Sequence, residues 1–232
     1  MPTVLLVRHG RTGANSAAVL AGRSPGTHLD EVGREQARSL ARRLAGVTLA
    51  AVVSSPLERC HETATALTGD RGRPAVEVDN RLTECDYGDW TGRRLATLAR
   101  EKLWKVVQTH PSGATFPGGE SLRAVQARAV EAVRSHDALA AAAAGPNAVW
   151  VAVSHGDVIK AVVADALGLH LDLFQRLVID PGSVTIVQYT DLRPFVVGLN
   201  DTGGDLSRLR RRVRSGRRPS SDAMVGGAAG TT

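Results

Sequence analysis

Two segments of this 232-residue chain, VLLVRHG at 4–10 and WVAVSHG at 150–156, each run a short apolar stretch straight into His-Gly. Short apolar runs bounded by turn residues read as buried strands. A strand buried on both faces belongs in a largely parallel sheet covered by helices. LAAVVS at 49–54 reads the same way, and helical stretches are expected at 30–45, 57–67, 93–108, 120–144 and 157–167. In 30–45, Val32, Ala37, Leu40, Ala41 and Leu44 share roughly one face, with charges opposite. SVTIVQY (183–189) and PFVVGLN (194–200) lie close enough to pair as a hairpin, which makes one strand antiparallel to the rest. The pattern is that of one α/β domain with a mostly parallel sheet.

In such a sheet the carboxyl ends of the parallel strands share an edge, and ligands bind outside it. Both His-Gly pairs, carrying His9 and His155, belong there, and each glycine permits a sharp exit and close backbone approach to a ligand. His28, His61, His110, His136 and His170 have no comparable placement. Arg8 precedes His9, and the strand at 49–54 leads into SSPLERC, which puts Arg59 on the helix leaving the same edge. The planar fork of arginine matches phosphoryl oxygens and stays charged at any working pH. Two such arginines beside histidines suit a dianionic phosphate, and Thr12 and Asn15 add short donors at a helix N-terminus. A zinc site is the competing reading, but zinc favours three His, Cys or carboxylate ligands and is opposed by neighbouring cations.

Composition narrows the classes further. A chain of this length with 43% hydrophobic residues can bury one good core, and an aromatic share of 3% leaves Ala, Val and Leu to build it. The N-terminal apolar run is too short for a secretory signal, and no stretch has the ~18–20 apolar residues of a membrane span, so a cytoplasmic protein is expected. Cys60 and Cys85 are too few for a disulfide framework and read as free thiols; each adjoins an expected site residue, but a small buried hydrophobe is favoured over a redox role. The net charge of +6 is local: seven of 29 basic residues and one of 23 acidic residues lie beyond residue 207, leaving 22 of each before it. Residues 204–232, rich in Arg, Gly and Ser, are expected to form a flexible tail on a neutral domain at 1–203, with any nucleic-acid contact weak and confined to that tail.

LLVRHGRTGAN, LDEVGREQA, VVSSPLERCHETA, LTECDYGDWTG, PGGESL, VSHGD and LNDTG occur in that order, and in this the chain resembles the histidine phosphatase superfamily, the phosphoglycerate mutase-like family. The resemblance covers residues 3 to about 203 and implies a three-layer α/β/α sandwich with no cofactor and no metal. It also implies that His9 is the nucleophile that becomes phosphohistidine, that Arg8, Arg59 and His155 bind the phosphoryl group with Asn15 assisting, and that Glu84 is the proton donor. The expected activity is a metal-independent phosphomonoesterase on a small phosphorylated substrate, with a homo-oligomer left open. Two other functions are carried beside it: a phosphoglycerate-type mutase, and a nucleic-acid-binding or scaffold protein using the basic tail. The segment after the acid motif looks like that of the phosphatase members, although Arg93 and Arg94 could hold a substrate carboxylate. Between Gly22 and Leu29 the wording departs from the commoner family pattern, so Gly22, Arg23, Ser24 and His28 are candidates for tuning substrate choice.

Overall fold

A computed structural model describes residues 1–69 and 73–204. Six strands form one mixed sheet: β1 (Thr3–Arg8), β2 (Ala51–Ser54), β3 (Val76–Val78), β4 (Val149–Ser154), β5 (Val184–Tyr189) and β6 (Pro194–Asp201). Their order is β3-β2-β4-β1-β5-β6. The β3, β2, β4 and β1 neighbours pair in parallel, while β5 runs antiparallel to both β1 and β6, so β5 is the one strand that points the other way.

Seven α-helices accompany the sheet among the described residues: α1 (Gly13–Ser16), α2 (Glu31–Arg43), α3 (Glu58–Thr68), α4 (Leu95–Leu98), α5 (Lys102–Thr109), α6 (Leu122–Ala144) and α7 (Gly156–Ala166). The strand alternation sends Leu5, Val7, Val52, Val151 and Val153 to one face, where Leu40 of α2 and Ala64 and Leu67 of α3 cover them. It sends Val4, Leu6, Val53, Trp150 and Ala152 to the other, under Val125, Ala129 and Ala132 of α6 and Val158, Ile159 and Val162 of α7. The result is a three-layer α/β/α sandwich. Each fully buried Leu, Val or Ile in it stabilises the fold by about 1.5–3 kcal/mol relative to exposure. Local signals fix the ends: the Asp30 side chain accepts from the Gly33 amide to start α2, Ser121 accepts from Ala124 to start α6, and Gly145 with φ +87 stops α6.

Four features differ from the sequence reading. The helix expected at 93–108 is two short helices, α4 and α5, with Arg93 reaching over the break to Glu101 at 2.6 Å. The three-residue edge strand β3 was not anticipated, since only Val76 of its side chains packs against the core while Glu77 and Val78 are exposed. Val32 faces outward at 44% exposure, and in α2 Gly33, Ala37 and Leu40 are the buried positions. The aliphatic core also has an aromatic complement, because Tyr87 and Trp90 of the acid motif meet Phe116 edge to face and Trp104 stacks on Trp90. Among the described residues no helix is long and apolar enough to cross a membrane. The expected tail lies almost wholly outside the described residues.

Candidate active site

Register places the two His-Gly pairs side by side. Arg8 of β1 pairs with Ser154 of β4, so His9 and His155 leave the sheet together with ring centroids 5.3 Å apart. Gly10 is required here, but for a reason other than ligand approach: a Cβ on it would lie 2.4 Å from the Gly33 carbonyl oxygen, so it lets α2 close against the strand exit.

His9 is 2% exposed, and its Nδ1 lies 2.7 Å from the Gly10 carbonyl oxygen. A carbonyl can only accept, so Nδ1 carries the proton and the lone pair is on Nε2. Arg59 Nε donates to that Nε2 at 3.3 Å. Burial, then the Arg59 and Arg8 cations, push the His9 pKa well below the ordinary imidazole value, which keeps the ring neutral. His155 is fully buried. Its Nδ1 accepts from Arg59 Nη2 at 3.1 Å, which leaves Nε2–H to face Ser55 Oγ at 2.8 Å. Burial, followed by Arg59, lowers this second imidazole as well.

Arg59, on the first turn of α3, therefore spans both rings, and its Nη2 also donates to the Gly22 carbonyl at 2.8 Å. Its Nη1 is buried and has no hydrogen-bond partner among the described residues. A buried guanidinium N–H without an acceptor is costly unless an anion completes it. Arg8 is buried beside it and donates through Nη1 to the Ile179 carbonyl at 2.6 Å. Desolvation lowers the Arg8 pKa, opposed by the negative charge of Glu84, Asp157 and Asp180.

Glu84 closes the cleft at 4% exposure. One of its oxygens accepts from the Cys85 amide at 2.9 Å and the other lies 3.9 Å from His155 Nδ1. Burial, then the nearby Asp157 carboxyl, raise its pKa to about 7 against the pull of Arg59 and Arg8. A carboxyl poised there can give a proton to a leaving oxygen and take one from water at neutral pH.

The structure brings His9, His155, Arg8, Arg59, Glu84, Thr12, Asn15 and Gly22 to one cleft, and it separates the rest of the expected set. Thr12 caps α1: its hydroxyl and amide both donate to Asn15 Oδ1, and it accepts from the Asn15 amide, so its donor is engaged. Arg23 turns toward protein, donating to the Glu84 carbonyl at 2.8 Å and to Glu120 at 2.8 Å. Arg128 grips the same carbonyl and the same Glu120, so this pair of arginines positions the Glu84 backbone. Arg93 is paired with Glu101, Arg94 precedes α4 on the exposed side, and neither lines the cleft. Ser24 and His28 also lie outside it, the His28 ring pairing with Glu62. Cys60 and Cys85 are free and buried, and burial pushes the Cys60 thiol up to about 12 and Cys85 well above its ordinary value. Ser55 and Tyr87 were missed. Ser55 directly follows the strand end that leads to Arg59, and Tyr87 lies within the acid motif, so position was the available signal for both. Among the described residues no three His, Cys, Asp or Glu side chains are arranged to hold a metal ion.

A buried neutral histidine, paired arginines and a carboxyl whose pKa is raised to about 7 lie together at the carboxyl edge of an α/β/α sandwich, a constellation suited to a phosphoryl group. The family model of the histidine phosphatase superfamily (branch 1) matches residues 4–202, and the chain belongs to that family. It is 35% identical over 174 residues to a glucosyl-3-phosphoglycerate phosphatase of Mycolicibacterium vanbaalenii, covering 73% of this chain and 76% of that protein. It is 32% identical over 213 residues to a GpmB protein of Erwinia tasmaniensis named for a phosphoglycerate mutase, covering 90% and 95%. The structure of YhfR from Bacillus stearothermophilus superposes with a TM-score of 0.78 at 30% identity, covering 87% of this chain and 98% of that one. The chain is a phosphatase of this superfamily.

Proposed function

We propose that the protein hydrolyses small phosphate monoesters, without a metal, by passing the phosphoryl group through His9 Nε2. The observation that carries this reading is the pinned tautomer of His9, whose Nδ1–H is held by the Gly10 carbonyl and whose Nε2 faces Arg59 Nε. Phosphoryl transfer asks the protein mainly to align reactants and to stabilise charge on the equatorial oxygens. Arg59 and Arg8 supply that charge in a site shut off from water, where donors are worth most, and His155 orients Arg59 by accepting from its Nη2. As the ester enters, Arg59 Nε turns from His9 Nε2 to a phosphoryl oxygen and frees the lone pair. Glu84 protonates the leaving alkoxide and then takes a proton from the water that cleaves phosphohistidine.

Hydrolysis is favoured over the mutase reading because Arg93 is neutralised by Glu101 and neither it nor Arg94 lines the cleft, so neither is placed to hold the carboxylate of a second phosphoglycerate. The same proposal takes residues 1–203 as the catalytic domain, residues 204–232 as an appendage, and the cytoplasm as the compartment. A panel of small phosphate esters and sugar phosphates, assayed for released phosphate with and without a chelator, tests it. Chelator-resistant release of phosphate is the expected result. Activity lost to the chelator and restored by a divalent ion would overturn the mechanism.

A further inference from the structure

Behind the cleft lies a buried polar group that the mechanism leaves unused. Asp157, on the first turn of α7, has no exposed surface, although it stands two residues after His155. Its Oδ2 accepts from Tyr87 Oη at 2.7 Å, and its Oδ1 lies 3.7 Å from Lys160 Nζ. Lys160 is itself 3% exposed, donates to Gln175 at 3.0 Å and rests over the Phe174 ring. A hydroxyl and an ammonium are an expensive set to bury unless the carboxylate between them is ionised. Tyr87 lines the cleft together with Glu84 while its hydroxyl reaches back to Asp157, so one side chain joins the surroundings of the two carboxyl groups.

Two carboxylates in such a region do not both ionise readily, and the geometry says which one keeps the proton. Asp157 has a hydroxyl donor and a cation, whereas Glu84 has one backbone amide and a neutral imidazole edge. We propose that Asp157 is a positioning residue of the phosphoryl-transfer site: hydrogen-bonded by Tyr87 and facing Lys160, its carboxyl group keeps Glu84 in the acid form that protonates the leaving group. The inference rests on the phosphatase reading above. The other groups facing Glu84 are the Arg8 cation from β1, Arg59 from α3 and the neutral His155 from the end of β4, with Arg128 of α6 on its carbonyl. Both cleft arginines favour ionised Glu84, so burial and Asp157 are what oppose them. Tyr87, pushed well above its ordinary pKa by burial and then by Asp157 and Glu84, stays a phenol and can only donate to Asp157.

The test is the pH profile of kcat/KM for an alkyl phosphate in the full-length chain, comparing the parent with Asp157→Asn and Asp157→Ser. In the parent the alkaline limb falls as Glu84 ionises near pH 7. In both variants the limb moves to lower pH, with about fivefold lost at pH 7 for the first unit of displacement and about tenfold for each further unit, and the gap to the parent narrows as the pH falls. p-Nitrophenyl phosphate, whose leaving group needs little protonation, shows a much smaller change. A role confined to stability lowers the melting temperature or scales the whole profile without moving the limb, and an unmoved limb in whichever variant folds overturns the proposal. If neither folds, the infrared band of protonated Glu84, identified by its loss in Glu84→Gln, is titrated in the parent. A carboxyl already ionised well below neutral pH overturns the proposal just as firmly. Failure of the parent to release phosphate is a different outcome and sinks the phosphatase reading itself.

Discussion

Arg59 reaches both site histidines and the Gly22 carbonyl, so its replacement gives the sharpest prediction. Arg59→Lys keeps a positive charge and removes the fork. It loses the donor to the Gly22 carbonyl at 2.8 Å, the donor to His155 at 3.1 Å and the buried Nη1 that awaits an anion. Removing one preorganised donor from a site of developing charge costs about 10²–10³ in kcat, or ~2.7–4 kcal/mol. Arg59 offers the phosphoryl group two such donors, Nη1 and the Nε released from His9, so Arg59→Lys is expected to lower kcat/KM by ~10³ or more. Arg59→Met goes further, because it also removes one of the two cations that add to burial in lowering the His9 pKa; that pKa rises and the acid limb of kcat/KM moves to higher pH. The assay is kcat/KM against pH for p-nitrophenyl phosphate, which isolates Arg59 from the proton donor, with inhibition by orthovanadate measured in parallel. Thermal melts correct for the unpaired Gly22 carbonyl and His155 nitrogen, each worth about 1–3 kcal/mol when buried. Near-parental turnover and vanadate affinity in Arg59→Lys would refute the assignment of Arg59 to the phosphoryl oxygens.

Glu84→Gln is expected to slow phosphoryl transfer from an alkyl phosphate by about 10²–10⁴ in single turnover, while transfer from p-nitrophenyl phosphate falls much less; equal losses would remove Glu84 as the donor. The same substitution tests the linkage of the site to stability. Glu84 binds its proton more tightly folded than unfolded, so its contribution is present below about pH 4.5 and is lost as pH rises toward 7. Glu84→Gln should therefore gain stability relative to the parent by ~1.4 kcal/mol per pH unit across that window, measured by denaturant unfolding. His9 and His155 act in the opposite sense: both are depressed from 6.5, so their contribution is present above about 6.5 and is lost on acidification below it. Deleting residues 204–232 should leave kcat and KM nearly unchanged and weaken any binding to polyanions, with a flatter salt dependence; a large loss of turnover would mean that the tail belongs to the catalytic body.

The sheet and its edge were legible because a buried parallel strand writes itself as an apolar run, and a run that ends in His-Gly also marks where the side chains emerge. β1, β2 and β4 declared themselves this way, as did the β5–β6 hairpin. β3 did not, since three residues with two exposed carry no pattern. The break between α4 and α5 was invisible for another reason. No Gly or Pro marks it, and the apolar spacing runs on through it, so the turn is set by tertiary contacts such as the Arg93–Glu101 pair and the Trp90–Trp104 stack. At the site, residues with chemistry at strand ends could be read, but side-chain direction could not. Arg23 and Arg93 were plausible ligand residues by position, and only the geometry shows their charges already met by Glu120 and Glu101. Ser55, just past the end of β2, and Asp157, two residues after His155, were marked by position alone, because a polar residue in a chain does not announce that it will be buried.

The central claim is that the phosphoryl group rests on His9, and rapid quench tests it most directly. The enzyme is mixed with a 32P-labelled substrate ester, stopped in alkali within a turnover, and the label is located by peptide mass spectrometry. The account predicts label on His9 that survives alkali and is lost in acid, with neither label nor turnover in His9→Ala. Label on a serine, or turnover that persists in His9→Ala, would contradict it.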